Sequence, residues 1–276
     1  MLMFDRHVAR CALNVLLAGI LVVLPAVSAH ADSSPRPVGS GVQMVPFGPG
    51  EESRFAIKFG FVRAGSASLS VEGPEMFAGR PAVRLISRAR SSSFFSRIFR
   101  VEDHVESWWS VDDNLTLRFE RHIREGDYRR DEVVVYDHHS GEAVYPDGSR
   151  VGFAPGSLDI LAAFYWVRTR SLEPGLDLRV PSHNDKKNHD LRIRVLRREI
   201  VKVPAGEFPC VVVEPLLESA GLFRQEGRLT VWLTDDARRM PVKMKSKVKV
   251  GSITAELESY RPGAPIHGAL PGREGN

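Results

Sequence analysis

From Val242 to Val250 apolar and cationic side chains alternate strictly, with Val242, Met244, Val248 and Val250 on one side and Lys243, Lys245, Lys247 and Lys249 on the other. A period of two sets one row against a core and the other in solvent, which is the pattern of a half-buried strand. Gly251-Ser252 follows, and glycine first in a two-residue loop favours a type II′ hairpin turn. Such a turn pairs Val250 with Ile253, Val248 with Ala255 and Ser246 with Leu257, and it sets Lys247 opposite Glu256 and Lys245 opposite Glu258. Opposite charges facing across a strand pair contribute roughly 0.2–1 kcal/mol each. A chain organised around this hairpin has to build an antiparallel sheet with one buried face.

Upstream the same period recurs. Phe55, Ile57 and Phe59 alternate with Arg54, Ala56 and Lys58, and after Ala64-Gly65 the residues Ala67, Leu69 and Val71 alternate with serines. Further strands are predicted over Val83–Ala89, Phe99–Glu106, Leu115–Phe119 and Tyr128–Tyr136, with shorter ones near Ala143–Tyr145 and Val151–Phe153. After Leu176–Val180 a polar loop is expected from Ser182 to Asn188, followed by Leu191–Val195, Val201–Val203, Cys210–Leu217 and Arg228–Leu233. The expected fold is mainly β: a large curled antiparallel sheet of about a dozen strands, shaped as a roll, half-barrel or barrel.

One stretch breaks the period. Asp159 precedes Ile160–Thr169, and Pro174-Gly175 lies beyond it, so an acidic N-cap and a terminator bracket a short helix. Its apolar residues run nearly all the way round. The helix is therefore expected to be enclosed, plugging the concave side of the sheet.

The N-terminal 31 residues read as a secretory signal: Arg6, His7 and Arg10, an apolar run from Cys11 to Leu24, then Ala29-His30-Ala31 as a small-x-small cleavage site. The run is about 14 residues, whereas a spanning helix needs roughly 20. Cleavage there leaves 276 − 31 = 245 residues and removes Cys11, so Cys210 has no disulfide partner within the chain. It also removes two basic residues and one acidic one, leaving 36 − 33 = +3. That small excess argues against nucleic acid as a partner. Residues 32–49 are expected as a flexible lead-in, 50–260 as one β domain and 261–276 as a flexible tail. Periplasmic or secreted localisation follows from the leader.

The chain resembles a bacterial exported family known as domain of unknown function 3108. The likeness rests on Gly50-Glu51, Ala64-Gly65, Phe94-Phe95-Ser96, Phe99-Arg-Val-Glu-Asp103, Glu125-Gly126, Asp159 with Ala163-Phe164-Tyr165 and Arg168, Gly206-Glu-Phe208 with Cys210, and Trp232–Asp236 with Pro241. The resemblance implies an exported β-rich domain and brings no catalytic residues.

Chemistry is sparse in the residues as well. The nucleophile elbow, the zinc-protease helix and the phosphate-binding glycine loop are all missing from the sequence. His183, His189, Asp185 and Asp190 could be drawn as a metal site, but Lys186 and Lys187 beside them point to a solvated loop; His138-His139 reads the same way. No enzyme activity, cofactor or metal is expected. Two surfaces remain. Trp108, Trp109, Phe164, Tyr165 and Trp166 are candidates for holding a lipid-like or amphipathic ligand in the concavity. Lys243, Lys245, Lys247 and Lys249, with the arginine rows Arg84, Arg88, Arg90 and Arg192, Arg194, are candidates for a basic face toward an envelope glycolipid, lipid headgroups or another envelope protein. The expected function is non-catalytic binding of a lipid-like ligand, with assembly onto an envelope protein through sheet edges as the alternative.

Overall fold

A computed structural model describes residues 45–217, 229–247 and 251–266. The expected leader, with most of the expected lead-in and tail, lies outside these residues. Fourteen antiparallel strands form one sheet: β1 (Glu52–Phe59), β2 (Val62–Phe77), β3 (Arg80–Ser91), β4 (Glu102–Ser110), β5 (Thr116–Glu125), β6 (Tyr128–Asp137), β7 (Glu142–Val144), β8 (Arg150–Gly152), β9 (Asp177–Asn184), β10 (Lys187–Val203), β11 (Gly206–Leu217), β12 (Leu229–Thr234), β13 (Pro241–Lys247) and β14 (Ser252–Arg261). Among the described residues two helices interrupt them, α1 (Ser93–Ser96) and α2 (Ile160–Arg168). Consecutive strands pair throughout except β8 and β9, and the single pairing between strands distant in sequence, β1 with β14, joins the two halves of the meander. The sheet edges are β8 and β9.

Alternation produces the expected faces. Phe55 and Ile57 of β1, Leu69 and Val71 of β2, Leu85 of β3, Ile193 of β10 and Leu257 of β14 all turn inward and belong to one continuous core with α2. Helix α2 begins and ends close to the positions its sequence predicts. Asp159 caps it by accepting from the Leu161 and Ala162 amides at 2.8 and 3.0 Å, which satisfies two of the donors every helix N-terminus leaves open. Thr169 is the C-cap. Val45 and Phe47, placed by the sequence in a flexible lead-in, are instead buried; Val45 bridges to Ile266, and Phe47 packs on Tyr165 with ring centroids 4.8 Å apart. Apolar side chains among Ser, Pro and Gly were enough to dock this segment.

The β13–β14 hairpin departs from its expected register. Lys243 faces Glu256, Ser246 faces Ile253 and Lys247 faces Ser252, so β13 is displaced by four residues against the predicted pairing. Residues 248–250, including Val248, Lys249 and Val250, lie outside the described residues. An even displacement leaves each side chain on its own face, and alternation cannot detect it. Contacts on the far side of β14 supply the missing constraint: Glu256 also takes Lys58 of β1 at 2.6 Å, and Glu258 pairs with Arg63 of β2.

The expected polar loop Ser182–Asn188 is also corrected. β9 runs to Asn184 and β10 starts at Lys187, leaving a two-residue turn at Asp185-Lys186 with φ of 55° and 58°. Two left-handed residues make the hairpin turn whose twist matches that of its strands. Ser182, His183 and Asn184 are all buried. Three consecutive buried residues in a strand mean that both of its faces are covered.

Candidate functional site

The interior is organised by two buried polar anchors of α2. At its start, the Asp159 carboxylate accepts from Ser107 Oγ at 2.6 Å and Thr116 Oγ1 at 2.7 Å besides the two amides. Burial pushes its carboxyl up, and these donors work against that shift. At the other end, Arg168 Nη1 and Nη2 donate to the Glu51 carboxylate at 2.7 and 3.0 Å, and both side chains are enclosed. The guanidinium lies 5.0 Å from the Phe47 ring centroid and 5.2 Å from that of Tyr165. A bidentate pair of this kind fixes orientation as well as charge. Both anchors hold the plug in place; neither touches open solvent.

Around these anchors the candidate ligand residues separate into three environments. Trp109 and Tyr165 are fully buried and meet through Phe47, whose ring lies 5.4 Å from that of Trp109. Trp108, one residue along β4, projects from the opposite face, as alternation requires. There its Nε1 donates to Glu75 at 2.5 Å, and Arg118 sits 4.9 Å from its ring. Phe164 and Trp166 stand on the part of α2 that keeps some of its surface uncovered. Arg170 stacks over Trp166 at 4.4 Å. Burial alone pushes the Arg170 guanidinium down, and its Nε is buried with no hydrogen-bond partner. Among the described residues no carboxylate pairs with it.

The candidate basic face lies on the outer surface. Lys243 pairs with Glu256 at 3.2 Å and reaches over Trp232, Lys245 is half-buried, Lys247 is exposed, and Lys249 lies outside the described residues. Three of the five arginines are answered by carboxylates on neighbouring strands, Arg84 by Glu72 at 2.6 Å, Arg194 by Glu214 at 2.5 Å, and Arg192 by Asp177, whereas Arg88 and Arg90 are exposed without a salt bridge among the described residues. Much of the row is thus a ladder of alternating sign.

The turn after β9 carries the cluster that sequence reasoning placed in solvent. His183 is enclosed; its Nε2 accepts from Tyr145 Oη at 2.8 Å, its Nδ1 donates to Asn188 Oδ1 at 2.7 Å, and its carbonyl accepts from Tyr136 Oη at 2.7 Å. The Asn188 amide nitrogen donates to Gly152 O at 2.9 Å, which fixes its orientation and hence the imidazole tautomer. Burial pushes the His183 imidazole below the ordinary histidine range. Next to it, Asp185 pairs with Arg121 and Arg130, and both arginines also pair with Glu132. His138, likewise read as solvated, is half-buried and bonds Thr116 O at 2.6 Å. The signal for burial was the pair Tyr136 and Tyr145, each a large ring with a polar tip that needs a partner once covered.

Burial shifts two further titratable groups. Burial raises Asp103 to about 6, against donation from the Arg124 amide at 2.9 Å and a hydrogen bond with Glu125. The Cys210 thiol is buried and pushed up to about 12, far from the thiolate a nucleophile needs. Among the described residues no group of three or more His, Cys, Asp or Glu side chains is placed to hold a metal ion.

The chain is similar in fold to a β-barrel-like protein of domain of unknown function 1849 from Brucella abortus, 9% identical, with a TM-score of 0.54 over 80% of this chain and 100% of that one. A protein with a YmcC-like fold from Bacteroides fragilis, 12% identical, aligns over 80% and 100% with a TM-score of 0.35, too loose to carry an argument. No curated protein matches the sequence. The model of a family of unknown function, DUF3108, matches residues 54–258, and the chain belongs to that family.

Proposed function

We propose that this is an exported cell-envelope protein with no reaction of its own, which binds a lipid-like or amphipathic ligand. The observation that carries the reading is the pairing of Trp166 with Arg170: an aromatic surface left partly uncovered on α2, and beside it a half-buried guanidinium with no carboxylate partner among the described residues. A desolvated charge without a counter-ion is unfavourable, and an anionic headgroup would supply one. Phe164, also partly uncovered, extends the apolar surface toward which an acyl chain would run. The reading also agrees with the basic leader and cleavage motif of residues 1–31.

Uptake of a fluorescent fatty acid tests it. Trp166→Ala and Arg170→Gln should each lower uptake, whereas changing Lys245 and Lys247 to Ser should leave it nearly intact. Each variant is compared below its own melting temperature, because Trp→Ala in a packed site typically costs ~3–5 kcal/mol. Absence of uptake by the wild type, or a loss confined to the lysine variant, would refute the interior site.

A further inference from the structure

Four large apolar side chains are exposed together at one end of the sheet. Phe61 and Val62, at the β1–β2 turn, are 102% and 56% exposed, and Phe94 and Ile98, in the β3–β4 connection, are 63% and 53% exposed. The two segments sit side by side: Gly65 pairs with Ser91, and the Ser92 amide donates to Ala64 O at 2.8 Å. Their conformation is fixed from below. Gly60, at φ 57°, makes the turn that lifts Phe61 out, and Phe94 packs edge-on against the half-buried Phe95 at 5.7 Å. Phe95 and Phe99 are partly covered while Phe94 and Ile98, at the same helical spacing, are not. An isolated exposed leucine or valine is ordinary, but a cluster of exposed phenylalanines marks a contact surface.

The surrounding charge identifies the partner. Residues 53–71 contain three basic and no acidic residues, and residues 76–101 contain six arginines and no acidic residue. Several are paired to carboxylates elsewhere; Arg88 and Arg90 are exposed and feel Glu106 and Glu102 only at longer range, and Arg97 is exposed with no salt bridge among the described residues. The apolar groups protrude from turn tips and do not line a groove, so they fit a surface that deforms around them. Protruding aromatic side chains flanked by exposed arginines are the composition of an interfacial anchor, with rings in the acyl boundary and cations at the headgroups.

We propose that this end of the sheet docks on the surface of an anionic lipid bilayer, with Phe61 and Phe94 entering the interface and Arg97 at headgroup level. The inference stands on its own observations and does not depend on a ligand inside the sheet. Co-sedimentation with vesicles of phosphatidylglycerol and phosphatidylcholine tests it, using phosphatidylcholine alone as the neutral control. The wild type should bind the anionic vesicles, less so as salt rises. Phe61→Ser with Phe94→Ser should weaken binding by about tenfold or more, with no change in melting temperature or in fatty-acid uptake. Ile200→Ser, which removes an exposed apolar group elsewhere, should have no effect. Failure of the wild type to bind anionic vesicles, an equal effect of Ile200→Ser, or binding that requires an added membrane protein would each overturn the proposal. Loss of fatty-acid uptake in Trp166→Ala with vesicle binding intact would separate the two sites.

Discussion

The sheet meets itself at two seams, and they are built from different materials. Between β1 and β14 the join is a full backbone ladder from Glu52 opposite Arg261 to Phe59 opposite Ile253. Its inner face is apolar and its outer face carries Lys58–Glu256 and Arg63–Glu258. Between the edges β8 and β9 no ladder joins the described residues. The contacts there come from the β9–β10 hairpin and involve mostly side chains: Asp185 against Arg121 and Arg130, His183 against Tyr136 and Tyr145, Asn188 against Gly152, and Lys186 against Asp147 at 2.5 Å. A ladder spreads its stability over many bonds, each worth about 1 kcal/mol net. A side-chain clasp concentrates it in a few groups, most of them charged or polar. The ladder should thus tolerate changes on its outer face and fail only when its inner face is altered, whereas the clasp should be sensitive to single polar residues.

The largest effect is expected at the inner face of the ladder. Leu257→Lys buries an unpaired charge opposite Phe55 and should cost about 4 kcal/mol or more, or prevent folding, as read by urea denaturation. A loss under about 1 kcal/mol would mean that β14 does not face the core. Next comes Arg121→Leu at the clasp. It leaves Glu132 and Asp185 sharing Arg130 alone, and breaking a buried pair typically costs ~3–5 kcal/mol. An effect no greater than that of an exposed ion pair would remove the distinction between the seams.

The clasp should also respond to pH in a way the ladder does not. Burial depresses the folded-state pKa of His183, so its contribution is fully present above the ordinary value of about 6.5 and is lost as pH falls through the depressed one. His138 and His189 are shifted the same way, both by burial. Asp103, raised to about 6, acts in the opposite sense: its contribution is present at low pH and lost as pH rises toward 6. The drop in melting temperature on going from pH 7 to pH 5 should therefore be smaller in His183→Gln than in the wild type, and an unchanged drop would place the titration elsewhere. The smallest expected effect is Glu258→Lys on the outer face of the ladder. It loses a part-exposed pair with Arg63 worth roughly 0.2–1 kcal/mol, and a thermal melt showing damage comparable to Leu257→Lys would contradict the assigned faces.

What the sequence disclosed follows the same division. Local signals were legible: Asp159 and Pro174-Gly175 bracketed α2, and period-two alternation assigned Leu257 inward and Glu258 outward. Relations between distant segments were not. Alternation is blind to an even shift, so the β13–β14 register needed Lys58 and Arg63 from the far side of β14 to fix it. The burial of His183 depends on Tyr136 and Tyr145, about 40 residues earlier in the chain, and polar residues at a turn look solvated until something covers them. Trp108 and Trp109 illustrate a signal that was present and outweighed by composition: neighbours in a strand point to opposite faces. Arg170 escaped notice because an arginine just past a helix C-terminus is ordinary there; only the lack of a carboxylate beside it in space sets it apart.

The topology has a consequence for the order of assembly. Every strand except β1 and β14 finds both its neighbours, or its one neighbour, next to it in sequence, so during synthesis each hairpin can close as its second strand emerges. β1 pairs with β2 early, yet its other edge waits until nearly the whole sheet has been made, because its partner is the last strand. Throughout that interval Phe55, Ile57 and Phe59 stand on a strand with open backbone donors and acceptors, which is a template for pairing with another copy. A chain truncated before Ser252 would keep that edge open permanently, and would be expected to aggregate even though thirteen of the fourteen strands among the described residues remain.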